Sequence, residues 1–419
     1  VRINELLVNS ELINVKKQED EKKKELIRDY IIASDNFIVY RPSFKLHTII
    51  AGYPWFLDWG RDALISFEGL VLLPKRYELA KEILLTFTKD IKFGLVPNGY
   101  SGFDNRPLYN SADASLLLFE QVKKYIEYTK DYKFIQEYIF PALINIVEAY
   151  ISGIDFDDNN IYLDEDGLMV SGTPKTQNTW MDAKYGEVAI TPRNGKAVEI
   201  NALWYNALKI IEELEKKFNG SKSTEAQKYS ELAKKCKETF NKEFYNPRKK
   251  CLFDVLGDDK VRPNQLFAIS LTYPVVEPSS EIAEQIIEVV NKKLLNKNGI
   301  KTLAKGEENY VEIYEGEPFK RDMSYHQGIT WPWILGIYDS ACKNIINACK
   351  DKEKKKEYKN KYSEAINTLE KNIEKMFYGE GMVGSISELY DSKSANSGPK
   401  GALAQAWSVA QVFKILLKK

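Results

Sequence analysis

The chain has 419 residues, 44% of them hydrophobic, and 60 basic side chains balance 60 acidic ones. So much apolar material excludes a disordered chain and suffices for a large core; the zero formal net charge argues against nucleic acid or an anionic membrane as the main partner. No apolar run reaches the roughly 18 residues of a membrane-spanning helix and no h-region opens the chain, so a soluble protein is expected.

In chain order, the 3.6-residue periodicity predicts helices over 19–33, 61–73, 76–92, 111–129, 132–153, 197–217, 223–243, 263–272, 279–295, 326–349, 353–377 and 402–417. Ser111-Ala112-Asp113 and Ser279-Ser280 with Glu284 behind them read as helix starts. Only residues 155–170 read as a strand pair, a small β-hairpin insertion with Asp157-Asp158-Asn159-Asn160 as its turn and Asp164-Glu165-Asp166-Gly167 following. The helices at 223–243 and 353–377 are studded with lysine and glutamate, whereas those at 61–73, 197–210 and 326–338 are apolar nearly all round. Alternating outer and inner helices predict an all-α (α/α)6 barrel. An open α-solenoid is the alternative, but it requires a sequence period, and the pairs show no convincing self-similarity. Without a Pro/Gly-rich linker, residues 1–419 are expected to form a single domain.

Cys236, Cys251, Cys342 and Cys349 form no CxxC pair and lie far from His47 and His326. This predicts four reduced cysteines and a cytoplasmic protein, with a Cys236–Cys251 bridge as the alternative. Two histidines in this arrangement write no metal site, so neither metal nor cofactor is expected, and acid–base chemistry falls to carboxylates.

The seven tryptophans gather in polar-aromatic segments and avoid the lysine-rich helices. The segments are Tyr53-Pro54-Trp55-Phe56-Leu57-Asp58-Trp59-Gly60-Arg61-Asp62, Asn178-Thr179-Trp180-Met181-Asp182-Ala183, Glu199-Ile200-Asn201-Ala202-Leu203-Trp204, Tyr325-His326-Gln327-Gly328-Ile329-Thr330-Trp331-Pro332-Trp333 and Gln405-Ala406-Trp407. Most sit where a loop enters an inner helix, and in a barrel of helix pairs such junctions converge at one end of the axis. Tryptophan beside Asp, Arg, Asn and Gln suits a sugar: pyranose C–H faces pack on rings, and vicinal hydroxyls take paired charge-assisted hydrogen bonds. Core tryptophans and helix-capping charges are the simpler explanation for any one of these residues. Hydrolysis of a glycosidic bond needs two carboxyl groups. Asp58, Asp62, Asp104, Asp113, Asp182, Glu199, Glu388 and Asp391 are the candidates in aromatic-rich loops. Composition does not choose among them.

These segments, with Thr191-Pro192-Arg193-Asn194-Gly195-Lys196-Ala197-Val198, Arg262-Pro263-Asn264-Gln265 and Ile386-Ser387-Glu388-Leu389-Tyr390-Asp391, closely resemble the amylo-α-1,6-glucosidase module of glycogen debranching enzymes. The resemblance runs in order over about residues 40–410. It implies an (α/α)6 barrel related to glucoamylase-like enzymes that hydrolyses the α-1,6-linked glucose left at a trimmed branch point of glycogen or limit dextrin. By resemblance the general acid falls on Asp182, the general base on Glu388, and the pair holding the terminal glucose on Arg61 and Asp62. The matching substrate positions are Tyr53, Trp55, Asp58, Trp59, Trp180, Glu199, Asn201, Gln265, His326, Gln327, Trp331, Trp333, Gln405 and Trp407. In the family a separate N-terminal region precedes this module; the chain opens at Val1, so it is expected to be the C-terminal part of a longer protein. A glucoamylase-like or trehalase-like hydrolase of the same fold is the near alternative. A non-catalytic carbohydrate-binding domain and a helical scaffold are the others.

Overall fold

The computed structural model describes residues 21–101, 104–393 and 398–417. The helices that build its two layers are α1 Glu21–Asp35, α2 Gly60–Phe67 (continued by a π-helical stretch, Glu68–Leu72), α3 Tyr77–Lys89, α4 Ala114–Thr129, α5 Phe140–Ser152 and α6 Val198–Asn219. They continue with α7 Thr224–Glu243, α8 Phe267–Ser270 after a 3₁₀ turn, α9 Glu281–Lys293, α10 Ile334–Ala348, α11 Lys352–Gly379 and α12 Ala406–Leu417. The even-numbered helices pack in a closed ring: α2 on α4, α4 on α6, α6 on α8, α8 on α10, α10 on α12, and α12 back on α2. The odd-numbered ones lie outside it, with α1 on α12, α3 on the π-helical stretch, α5 and α7 on α6, and α9 and α11 on α10. This is the all-α (α/α)6 barrel. No helix among the described residues is long and apolar enough to cross a membrane.

Sequence character sorts the two layers. Every residue of α2 is buried, whereas α11 buries only Ile366, Leu369, Ile373, Met376 and Phe377, the narrow stripe of a helix with one wet face. Outer helices α7, α9 and α11 start on side-chain caps, where Ser223, Ser280 and Asp351 accept from the backbone N–H three residues on. The N-cap residues of inner helices α2, α4, α6 and α10 make no side-chain cap; the first amides of α2, α4 and α6 are taken instead by the Asn98 carbonyl, Ser111 Oγ and the Asp254 carbonyl, and the positive dipole ends remain without a capping carboxylate. Two glycines let α12 close the ring. A Cβ on Gly69 would lie 2.2 Å from the Ala410 carbonyl oxygen, and one on Gly336 would lie 2.0 Å from Gln411 Oε1.

Several expectations need correction. The 326–349 helix begins only at Ile334, because Gly328 takes a positive φ, Thr330–Trp331 pairs as a strand, and Pro332 turns the chain. A helix at Pro318–Tyr325 was not foreseen, being short and without an apolar period. The expected start of the first helix, at residue 19, lies outside the described residues. A hairpin does form at Tyr162–Leu163 with Met169–Val170, turning at 164–168, and the Asp157–Asn160 turn is closed by a separate Ile154–Ile161 bridge. It is not the only one, for among the described residues the strands fall into seven small sheets. Strands of two to four residues leave little or no period-two signal. Two pairings build the site. An antiparallel five-stranded sheet joins Thr330–Trp331 to Leu389–Tyr390, and Gly52–Tyr53 pairs with Ala404–Gln405. All four cysteines are free, so Cys236 and Cys251 are not bridged.

Candidate active site

At the N-terminal end of the inner helices one guanidinium meets a group of carboxyls. Arg61, on the first turn of α2, donates from Nε to both oxygens of Asp113 (2.9 and 2.8 Å) and from Nη1 to Asp182 Oδ2 at 2.6 Å. Asp113 is the residue before α4, and Asp182 lies in the loop before α6. Asp62 accepts from Gln405 Nε2 at 3.1 Å, across 343 residues of sequence. Gly52 backs that glutamine, since a Cβ there would lie 2.2 Å from Gln405 Oε1. Glu388, entering the strand Leu389–Tyr390, is held from two sides. The Tyr325 hydroxyl donates to Oε1, and the Ala402 N–H donates to Oε2 at 2.9 Å. Arg61 Nη2 and Gln405 Oε1 are buried and have no protein partner.

An aromatic floor lies beside these groups. Trp180 makes edge contacts with His326, Trp331 and Trp333, at centroid distances of 5.3, 5.6 and 5.0 Å, and Trp407 stacks on Trp333 at 5.3 Å. Trp180 donates to Asn264 Oδ1 and Trp331 to the Tyr325 carbonyl, whereas the ring N–H groups of Trp333 and Trp407 and both nitrogens of His326 find no protein partner. Burial and the nearby Arg262, Arg61 and Arg193 hold His326 well below its usual range, as a neutral ring.

The other positions taken from the resemblance divide into wall and scaffold. Trp55 is 59% exposed, and the Trp59 indole lies against Gly99. Tyr53 spends its hydroxyl on the Asn36 carbonyl, and Asp58 is buried in an ion pair with Arg41. Asn201 is occupied by the backbone of Met169 and Ala197, Gln265 by Leu252 N and the Arg262 carbonyl, and Gln327 by Arg262 and Thr191. Glu199 pairs with Arg193, which also binds Asp254 and Thr179, so it braces the loop that carries Asp182. Two residues outside the substrate set join the site. Asp113 stands among the candidate carboxylates and at a helix start but not among the substrate positions, and Tyr325 opens the His326-Gln327 string without a signal of its own.

Electrostatics separates the carboxyls. Burial, with Asp182, Glu388 and Asp113 close by, pushes Asp62 well above the carboxylate range against the pull of Arg61. Three carboxyl groups, Asp113, Asp182 and Asp62, share the charge of one buried guanidinium, and burial weighs most against the ionised form of Asp62. Burial raises Glu388 to about 7, with the Asp182 charge adding and the two hydrogen bonds opposing. Burial also raises Asp182, but the Arg61 ion pair opposes the rise. Asp182 gives one oxygen to Arg61 and its side chain is 30% exposed, whereas Glu388 is 2% exposed with both oxygens engaged.

The chain is 27% identical to the glycogen debranching enzyme of Saccharomyces cerevisiae, over 71% of this chain and 25% of that protein. It thus spans about a quarter of the length of that relative. Residues 32–414, every ring helix from α2 to α10 and most of α12 among them, match the amylo-α-1,6-glucosidase family, and the chain belongs to that family.

Proposed function

We propose that the chain is an exo-acting glycoside hydrolase that releases the single α-1,6-linked glucose at branch points of glycogen or limit dextrin, with inversion. One observation carries the reading: two carboxyl groups within electrostatic reach of each other are anchored differently beside Arg61 and Asp62. Asp182 has an oxygen free of protein donors at an open face, so it can deliver a proton to the departing glycosidic oxygen. Glu388 accepts from a phenol and a backbone amide, which favours its anion and leaves it a base able to take a proton from water as that water attacks the anomeric carbon. Arg61 orients Asp182 while its free Nη2 reaches a sugar hydroxyl. Asp62 and Gln405 take further hydroxyls, and Trp55 and Trp59 form the wall. The uncapped inner helices add their positive ends to this acidic end of the barrel.

The test is free glucose from a branched limit dextrin against a linear maltodextrin, with the released anomer followed by polarimetry or NMR. Release from the branched substrate alone, as the β-anomer, is expected. Release from the linear chain supports a glucoamylase-like α-1,4 enzyme, and retention without release a carbohydrate-binding domain. The share of the relative covered agrees with a module preceded by another region in a longer protein. Four unbridged cysteines suit the cytoplasm, where glycogen is also found.

A further inference from the structure

We propose that the exposed aromatic pair Tyr185–Phe319, with Met323 beside it, is a ledge for the α-1,4-linked main chain that carries the branch; the inference rests on the glucosidase reading above. Two elements meet there, one rising from each carboxyl. The hairpin Lys184–Tyr185/Val188–Ala189 starts two residues after Asp182 and is tied back to it by Ile190 N–H donating to the Ala183 carbonyl at 3.0 Å. The helix Pro318–Tyr325 ends in the residue whose hydroxyl holds Glu388. Helix and hairpin pack together, and the Tyr185 and Phe319 rings meet edge to face at 5.0 Å and 68°.

The anomeric carbon under attack lies between the acid and the base, and the main chain beyond it leaves an exo enzyme by the mouth of the pocket that those two residues flank. Walls built from those two residues outward are therefore the walls the main chain meets. Phe319 precedes Tyr325 by six residues, about 9 Å along a helix, so the pair stands roughly a disaccharide's length from the Glu388 anchor. A brace between hairpin and helix would bury its rings. These remain open instead: Tyr185 and Phe319 are each 46% exposed and Met323 37%. Phenylalanine offers no hydrogen bond, so what it recognises is an apolar face, and a neutral pyranose chain presents such faces in series.

The experiment compares wild type with Tyr185→Ala/Phe319→Ala on limit dextrin and on α-glucosyl fluoride, which has no main chain. The ratio of kcat/KM on dextrin to that on fluoride should fall about tenfold, through KM. Mobility in native gels containing glycogen gives an independent readout: wild type should be retarded, the double alanine variant much less, and Tyr185→Trp/Phe319→Trp as strongly as wild type. An unchanged ratio overturns the ledge. So does a parallel loss on both substrates, which marks a brace, or a wild-type chain that glycogen does not retard. If wild type releases glucose from neither substrate, the glucosidase reading fails and the gels alone decide the ledge.

Discussion

Replacing Glu388 by glutamine should cost activity and add stability in a way that depends on pH. The carboxyl is 2% exposed, and burial raises it from 4.5 to about 7. At 1.36 kcal/mol per pKa unit that rise corresponds to about 3 kcal/mol between the protonated and ionised forms. The native state binds the proton more tightly than the unfolded chain, so the stability tied to protonation is fully present below about pH 4.5. It is lost as pH climbs through about 7. Glutamine does not titrate. The stability of Glu388→Gln relative to wild type should therefore grow by up to about 3 kcal/mol between pH 4.5 and pH 8. One amide orientation leaves the Ala402 N–H or the Tyr325 hydroxyl poorly matched, which subtracts about 1–3 kcal/mol at all pH values without flattening the slope. The assay is urea unfolding of both proteins across that range, alongside glucose release from limit dextrin, which should drop about 10²–10⁴-fold. A stability difference that is constant with pH, or that favours wild type more as pH rises, would refute the reasoning.

Asp182→Asn should reduce turnover of limit dextrin by about 10²–10⁴-fold and barely touch α-glucosyl fluoride, whose leaving group needs no proton; equal losses on both substrates would reverse the two roles. Tyr325→Phe removes a hydrogen bond that holds Glu388 down, so Glu388 should titrate higher. The acidic limb of kcat/KM should then move up in pH, with about tenfold lost at pH 6 and less at pH 8. Gly401 sits at φ +65, and a Cβ there would lie 2.2 Å from Glu388 Oε2. Gly401→Ala should therefore cost about 1–2 kcal/mol of stability, read by thermal unfolding, and at least about tenfold in kcat as Glu388 is displaced.

The barrel could be read from the sequence because its helices are long and their burial periodic: α7 and α11 announce a wet face, α2 a dry one. The 52–53 and 404–405 pairing could not, because two-residue strands have no period, yet it is what carries Gln405 to Asp62. Within the site, the strings around Arg61, Asp182 and Glu388 carry the side chains that the fold brings together. They did not separate a residue that faces a cavity from one that props it. Asp58 lies in the same string as Arg61, and Asn201 and Gln265 in strings of the same kind, but their polar atoms are engaged by the protein itself. Asp113 and Tyr325 act through contacts across 52 and 63 residues, which no local pattern encodes.

The closure of the ring by α12 has a consequence for how the molecule forms. Asp62 and Gln405 meet across 343 residues, and Gly69 must accept the Ala410 backbone before the sixth side of the cylinder exists. Contacts so distant in sequence carry the largest loop-closure entropy, which is recovered only when most of the intervening chain is in place. Docking of α12 is therefore expected among the last events of folding. Until then Arg61 can already hold Asp113 and Asp182, but the Gln405 side of the site is missing. A nascent or partly opened chain would thus carry Asp182 and Glu388, the proposed acid and base, without the enclosure around them.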